Sequence, residues 1–144
     1  MPYYLSRTLT TTMADAIAKV TAALKVEGFG VLSDIDVQAT LKAKLGVDTA
    51  GYRILGACNP GFAHQGLQLE DKLSVLLPCN VIVREALAGQ IEVAAVDPVE
   101  SLERVGNPKL AAMATEVKTR LQRTLEALYW LSTLSATSRH GEAR

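Results

Sequence analysis

The sequence has no surplus of charge of either sign. Lysine and arginine together number 15, and so do aspartate and glutamate, which gives a formal net charge of zero at pH 7. Proteins that bind DNA or RNA usually carry a basic excess, because their affinity depends mainly on neutralising phosphates. The balanced charge therefore argues against a nucleic acid as a partner.

Long apolar runs are also missing. No stretch approaches the roughly 18 consecutive apolar residues that mark a membrane-spanning helix. Residues 1–7 show neither the apolar centre nor the cleavage pattern of a secretory signal. We therefore expect a cytoplasmic protein without membrane contact. In a reducing cytosol its cysteines should remain thiols.

Cysteine is scarce, with one residue at Cys58 and one at Cys79. The sequence has no Cys-x-x-Cys or His-x-x-x-His pair, and His64 follows Cys58 only after six residues. Zinc sites normally use four ligands at close paired spacings. The spacing therefore predicts no metal site and no resident cofactor.

The remaining composition is that of a single globular domain. A chain of 144 residues, of which 49% are hydrophobic, is long enough to bury a core without disulfides or metals. Residues 135–144 are polar and show no periodicity. We therefore assign the domain to residues 1–134 and expect the segment 135–144 to be a frayed polar tail.

Residue periodicity predicts an α+β fold. Period-two patterns predict strands at residues 3–9, 29–35, 52–58, 79–85 and 90–96. In the second strand, Phe29, Val31 and Ile35 are expected on one face. The last two strands are joined by a short segment ending in glycine, which is typical of an antiparallel hairpin.

Helix starts are marked by residues that can accept hydrogen bonds from first-turn N–H groups: Thr12, Asp36, Asn59, Asp97 and Asn107. Proline follows the last three of them, as is common at a first helical position. The longest helix comes last and carries an apolar stripe of Leu110, Met113, Val117, Leu121, Leu125, Leu128 and Leu131. We predict an up-and-down, mostly antiparallel sheet covered on one face by helices, including this long C-terminal one.

Cys58 is the first candidate for chemistry. It lies between a predicted strand and the helix that begins at Pro60, where the N–H dipoles of the first turn favour a thiolate. One interpretation is that Cys58 is a nucleophile or redox thiol. The other is that it is a small apolar side chain at the end of a buried strand. Cys79 begins the apolar face of the next strand and is expected in the core. The two thiols lie close together if their strands are antiparallel, and far apart if they are parallel.

Acid–base and amide groups offer no assembled catalytic set. Asp36 and Asp97 are expected to cap helices, and Asn59 either caps its helix or presents its amide to a ligand. Tyr129 and Trp130 either line a groove or complete the core. The sequence thus lacks a combined nucleophile, base and orienting group.

Four segments together resemble a known family. They are residues 28–36 (GFGVLSDID), 52–60 (YRILGACNP), 77–83 (LPCNVIV) and 96–98 (VDP), and they resemble the family catalogued as domain of unknown function 302. The resemblance implies a small bacterial or archaeal α+β protein, broadly like the TATA-binding-protein fold, that forms a homodimer. It brings no reaction. The residues that match its motif are Cys58, Asn59, Pro60, Ala63, Pro78, Cys79, Asp97 and Pro98.

The leading functional hypothesis is therefore a non-catalytic domain that binds a small apolar ligand or another protein. The first alternative is a thiol-based enzyme or redox sensor, with Cys58 and Cys79 as candidate catalytic residues. The second alternative is a protein that holds a metal or haem through these thiolates.

Overall fold

The computed structural model describes the backbone of residues 2–142 and the side chains of residues 2–128. Five strands and five α-helices lie within this part. The strands are β1 (Tyr4–Thr10), β2 (Gly30–Asp36), β3 (Tyr52–Cys58), β4 (Cys79–Leu87) and β5 (Gln90–Val96). The helices are α1 (Met13–Val26), α2 (Val37–Leu45), α3 (Pro60–Leu69), α4 (Pro98–Leu102) and α5 (Pro108–Glu142). Short 3₁₀ turns occur at Leu73–Val75 and Glu103–Val105.

The strands form one sheet in the order β1-β5-β4-β3-β2, and every neighbouring pair is antiparallel. The predicted α+β class with a mostly antiparallel sheet and a long C-terminal helix is confirmed. The up-and-down meander holds only for β2 to β5, because β1 pairs with β5 and not with β2. Since β1 and β2 run in the same direction, their connection must cross the sheet, and α1 makes that crossing.

The core lies between one face of the sheet and the helices. Leu55, Val81, Val83 and Val93 project from the strands and are at most 1% exposed. Facing them is the predicted stripe of α5, whose described members are all buried: Leu110, Met113, Val117, Leu121, Leu125 and Leu128. Leu131, Tyr129 and Trp130 lie outside the described side chains, and the boundary at residue 134 with its polar tail stays a prediction.

The predicted helix caps are present. The side chain of Thr12 accepts a hydrogen bond from the Asp15 amide, and that of Asp36 accepts one from the Ala39 amide. Asn107 likewise accepts from the amide of Lys109. The caps at Asn59 and Asp97 belong to the site described below. Helix starts can be predicted from the sequence because each of these hydrogen bonds joins the cap to an amide only two or three residues further on.

One strand departs from its expected pattern. The pairing of β2 with β3 shifts between Val31 and Ser33, so Leu32 is an extra residue in a β-bulge. Beyond the bulge the alternation of faces is inverted. Ile35 therefore lies on the face opposite the core, with 48% of its surface exposed, and the prediction that it aligns with Phe29 and Val31 was wrong.

Gly56 lies opposite this bulge, and the structure leaves no room there for a side chain. A Cβ atom at Gly56 would overlap the Ser33 hydroxyl and lie 2.9 Å from Cγ of Pro78. We expect Gly56→Ala to lower the free energy of unfolding by about 1–3 kcal/mol through overpacking. Urea denaturation should show a lower midpoint with an unchanged slope.

Gly61→Ala is the matched control for this prediction. Gly61 lies in the first turn of α3, and the nearest atom to an added Cβ is 3.6 Å away. Because alanine is the better helix former, this variant should be neutral or slightly more stable. Equal stability of the two variants would contradict the steric account of Gly56.

Candidate functional site

A cavity of about 370 Å³ lies between α3, α5 and the adjoining ends of β3 and β4. It is partly open to solvent, and its walls are almost entirely apolar. The lining residues are Phe29, Leu32, Ala57, Cys58, Asn59, Phe62, Ala63, Leu67, Ser74, Leu77, Pro78, Cys79, Pro98, Leu102, Met113 and Val117. None of these lining side chains is acidic, basic or an imidazole.

The local sequence explains why a space forms here. β3 ends at Cys58, and Asn59 starts α3 by accepting a hydrogen bond of 3.3 Å from the amide of Phe62. Pro60 occupies the first helical position, where an amide would have no intrahelical partner. The chain therefore leaves the sheet at the end of β3, and Phe62 and Ala63 on α3 form one wall of the cavity.

The antiparallel pairing of β3 with β4 brings the two cysteines together. Ala57 lies directly opposite Cys79, so the Cα atoms of Cys58 and Cys79 are roughly 6 Å apart by the standard spacing of such strands. Both cysteines are free thiols and both line the cavity. Of the two arrangements that the sequence allowed, the structure therefore has the antiparallel one, in which the two cysteines are neighbours.

The two thiols differ in their surroundings. Cys79 is buried, with 8% of its surface exposed, whereas Cys58 is partly exposed. Burial, and to a smaller extent the nearby Cys58, raise the pKa of the Cys79 thiol from 9.0 to about 11. Cys79 therefore stays protonated at neutral pH and contributes an apolar surface to the wall.

The amide of Asn59 is held within the protein. Besides accepting from Phe62, its Nδ2 atom lies close to Gly28, where an added Cβ would be 2.9 Å away. Gly28 has a φ of +86°, a conformation that glycine adopts without strain. Asn59 thus caps α3, as predicted, and its side chain also packs beside Gly28 at the end of α1.

Arg120 of α5 ties this region together. Its Nη1 donates a 3.1 Å hydrogen bond to the carbonyl of Glu27, and its Nε pairs with Glu116. The guanidinium carbon lies 5.2 Å from the centre of the Phe62 ring, a cation–π distance. One side chain thereby links α5, the end of α1 and the aromatic wall of the cavity.

Asp97 has a structural role behind the cavity. Only 4% of its surface is exposed, and its Oδ1 accepts hydrogen bonds from the amides of Val99 and Glu100 at the start of α4. Its Oδ2 pairs with Nζ of Lys118 at 2.8 Å. Asp97 is therefore the predicted cap, and it fixes Pro98, which forms part of the cavity wall.

The cavity gathers most of the family-motif residues that the sequence analysis singled out. Those lining it are Cys58, Asn59, Ala63, Pro78, Cys79 and Pro98; Pro60 and Asp97 shape its edges. His64 is exposed and hydrogen-bonds Gln68. Sequence reasoning missed Phe62 as a wall residue, and it assigned Met113 and Val117 to the core. These residues follow a helical apolar periodicity, and that pattern is the same for a residue in the core and for a residue in a cavity wall.

Among the described residues, no group of three or more His, Cys, Asp or Glu side chains is placed to hold a metal ion. No described helix combines the length and apolar character needed to span a bilayer.

Comparison with known proteins assigns the family. The profile of the family described as domain of unknown function DUF302 matches residues 5–128. The chain belongs to this family. A DUF302 relative, an uncharacterized conserved protein from Bacillus stearothermophilus, has a crystal structure that superposes with a TM-score of 0.81 at 28% sequence identity. The match covers 88% of this chain and 98% of that one. No curated protein matches the sequence.

The buried state of Cys79 in this DUF302 chain predicts a pH-dependent reactivity. In the Cys58→Ser variant only Cys79 can react, and its burial, the larger cause of its raised pKa, is unchanged. Its alkylation by iodoacetamide should accelerate about tenfold per pH unit and reach no plateau at or below pH 9.0, the ordinary pKa of a thiol. Unfolding in urea should speed the reaction at pH 8 by at least about tenfold, because the pKa returns towards 9.0 and the thiol becomes accessible.

The control is Cys79→Ser, which leaves the partly exposed Cys58 and should react faster than Cys58→Ser when folded. Rates measured by mass spectrometry test both variants. A folded Cys79 that reacts as fast as the unfolded chain at pH 8 would contradict its burial.

Proposed function

We propose that this protein binds a small apolar ligand in the cavity between α3, α5 and the sheet, without covalent chemistry. The observation that carries the proposal is the apolar lining of a cavity of about 370 Å³. Ligand sites in proteins are typically concave, roughly 300–1,000 Å³ in volume and mainly hydrophobic, with few polar groups. The cavity lies within that size range and has that character.

The distribution of side chains favours a flat or compact hydrocarbon-rich ligand. Phe29 and Phe62 supply aromatic surface, and Met113 supplies a deformable thioether that adapts to ligand shape. Ser74 and Asn59 are the uncharged polar residues of the lining apart from the thiols, and the Asn59 oxygen already caps α3. A charged ligand would find no opposite charge on these walls and would lose its hydration.

The same lining supports binding over catalysis. Cys58 is the accessible thiol, but no acidic, basic or imidazole side chain lines the cavity beside it to act as base or orienting group. Nucleophilic sites normally combine these three parts within hydrogen-bond reach. We therefore place the thiol-based enzyme or redox sensor second, as an outcome that the following test can reveal.

N-Phenyl-1-naphthylamine, an uncharged probe that fluoresces in apolar surroundings, tests the ligand site. We expect the wild-type protein to bind it, and Ala63→Trp to weaken binding at least about tenfold, or 1.4 kcal/mol, by filling the cavity. Gln65→Trp adds the same ring at an exposed position of α3 that does not line the cavity, so it should bind normally. Fluorescence titration measures all three proteins.

Cys58→Ser separates the two functional hypotheses. If binding is non-covalent, this nearly isosteric change should leave the affinity for the probe within about threefold, since a lost thiol contact is worth only a fraction of a kcal/mol. Loss of binding in a folded Cys58→Ser protein, or equal binding by Ala63→Trp and wild type, would count against the proposal. Far-UV circular dichroism checks folding of each variant.

We also infer that the protein is a homodimer joined through the sheet face opposite the core. Paired residues form an apolar row across four strands on that face: Ile35, Ile54, Ile82 and Ala94. Arg84 and Glu92 lie on the same face, 2.7 Å apart and partly exposed. In a two-fold interface each copy presents the same surface, so a patch with both a positive and a negative side chain can pair with itself. The net charge of zero means that two copies do not repel each other overall.

Charge placed on this row should break the dimer. We expect wild type to sediment as a dimer at micromolar concentration, and Ile35→Glu or Ile82→Glu to sediment as monomers because each buries a carboxylate at the interface. Val26→Glu, at an 84% exposed residue that ends α1, should stay dimeric. Sedimentation of wild type as a monomer, or of Val26→Glu as a monomer with the fold intact, would contradict this inference.

A further inference from the structure

One aromatic ring of the cavity wall has a positive charge beside it. The guanidinium carbon of Arg120 lies over the Phe62 ring, 5.2 Å from the ring centre. Phe62 lines the cavity, whereas Arg120 does not. The guanidinium therefore contacts the ring from outside the cavity, and a bound ligand meets the part of the ring that the guanidinium leaves uncovered.

Both groups are held in place before any ligand binds. Nη1 of Arg120 donates a 3.1 Å hydrogen bond to the carbonyl oxygen of Glu27, and Nε donates one of the same length to the Glu116 carboxylate. The backbone of Phe62 is fixed as well, because its amide donates to the side chain of Asn59 at the start of α3. The cation and the ring thus have a defined relative position.

We propose that Arg120 makes Phe62 selective for electron-rich aromatic rings, so that the ligand class of this cavity is an uncharged aromatic compound with electron-donating substituents. The proposal rests on the ligand binding proposed above and specifies its chemistry. Arg120 is a positioning residue in this role, since it acts on the ligand through the Phe62 ring and does not touch the ligand.

The charge distribution of an aromatic ring explains the selectivity. Such a ring has a negative face and a positive edge, and ring pairs adopt arrangements that bring opposite charges together. A cation over one face draws the π electrons of the ring towards itself. The opposite face becomes less negative and the edge becomes more positive. An electron-rich ligand ring is then attracted to Phe62 whether it stacks on the free face or meets the edge.

The remaining lining does not oppose this effect. None of the residues that line the cavity is charged, and apolar surroundings screen an electrostatic interaction less than water does. Glu116 offsets part of the Arg120 charge, but 48% of its side chain is exposed to solvent. Because Arg120 is itself 32% exposed, we expect an effect of about threefold in affinity, in the range of cation–π contacts at exposed sites.

A matched pair of uncharged ligands tests the selectivity. 1-Methoxynaphthalene and 1-nitronaphthalene are similar in size, but the first is electron-rich and the second is electron-poor. Equilibrium dialysis gives the affinity of each, and the readout is the ratio of the two affinities, methoxy over nitro. We expect this ratio to be about threefold higher in wild type than in Arg120→Met. Arg120→Lys keeps the positive charge, so its ratio should be closer to that of wild type.

Two further variants separate the contact with the ring from other effects of Arg120. Arg123→Met is the matched control, because Arg123 lies one turn further along α5, pairs with Glu27 and does not line the cavity. Its ratio should equal that of wild type. Phe62→Leu removes the ring and keeps the wall apolar. In that background Arg120→Met should leave the ratio unchanged, since no ring then transmits the charge.

The outcomes distinguish this selectivity from the ligand site itself. Equal ratios in wild type and Arg120→Met, with both folded by far-UV circular dichroism, would overturn the selectivity and leave the cavity as a ligand site. An effect of Arg120→Met that persists in the Phe62→Leu background would overturn it too. If wild type binds neither naphthalene, the proposed ligand class is wrong. If it also fails to bind N-phenyl-1-naphthylamine, the ligand site is wrong as well.

Discussion

The register between β3 and β4 is the constraint on which the site depends. By pairing Ala57 with Cys79, it puts the end of one strand beside the start of the next, so two segments separated by some twenty residues in sequence meet at one end of the strands. A shift by one residue would move every side chain of β4 to the other face. Val81 and Val83 would leave the core, and their burial is what holds the register in place.

The helices enclose a cavity at these strand ends. α5 packs its apolar stripe over the sheet, while α3 rises from Asn59 at an angle fixed by its cap and by Pro60. Arg120 and Asp97 hold the surrounding pieces through hydrogen bonds and ion pairs with α1, α4 and Lys118. The polar groups around the cavity are thus used for structure, which leaves an apolar interior.

Local signals made much of this fold predictable from the sequence. The starts of α3 and α4 follow from Asn59-Pro60 and Asp97-Pro98, because capping and the missing proline amide act within one helical turn. The bulge at Leu32 and the position of β1 beside β5 were not predictable in this way. Both depend on which strand is the partner, and that is decided by packing across the whole sheet.

The site could be predicted only in part, because its shape also depends on how distant segments pack together. Its motif residues were recognised from Cys58-Asn59-Pro60 and Pro78-Cys79, and antiparallel pairing was needed to bring them together. Phe62, Met113 and Val117 carry the same apolar periodicity as true core residues. A cavity is a volume that no side chain fills, so it follows from the relative placement of α3 and α5 and not from the pattern of either helix.

Strand alternation keeps the two surfaces of this sheet independent. Along β4, Cys79 and Val81 point towards the helices, whereas Ile82 and Arg84 point to the opposite face. A change on the outer face therefore alters the apolar row of Ile35, Ile54 and Ile82 without removing an atom from the cavity wall. The sheet backbone lies between them, so ligand binding on one side and self-association on the other can be perturbed separately. Coupling between the two would require the strands themselves to move, and each neighbouring pair of strands is joined by an antiparallel hydrogen-bonded ladder.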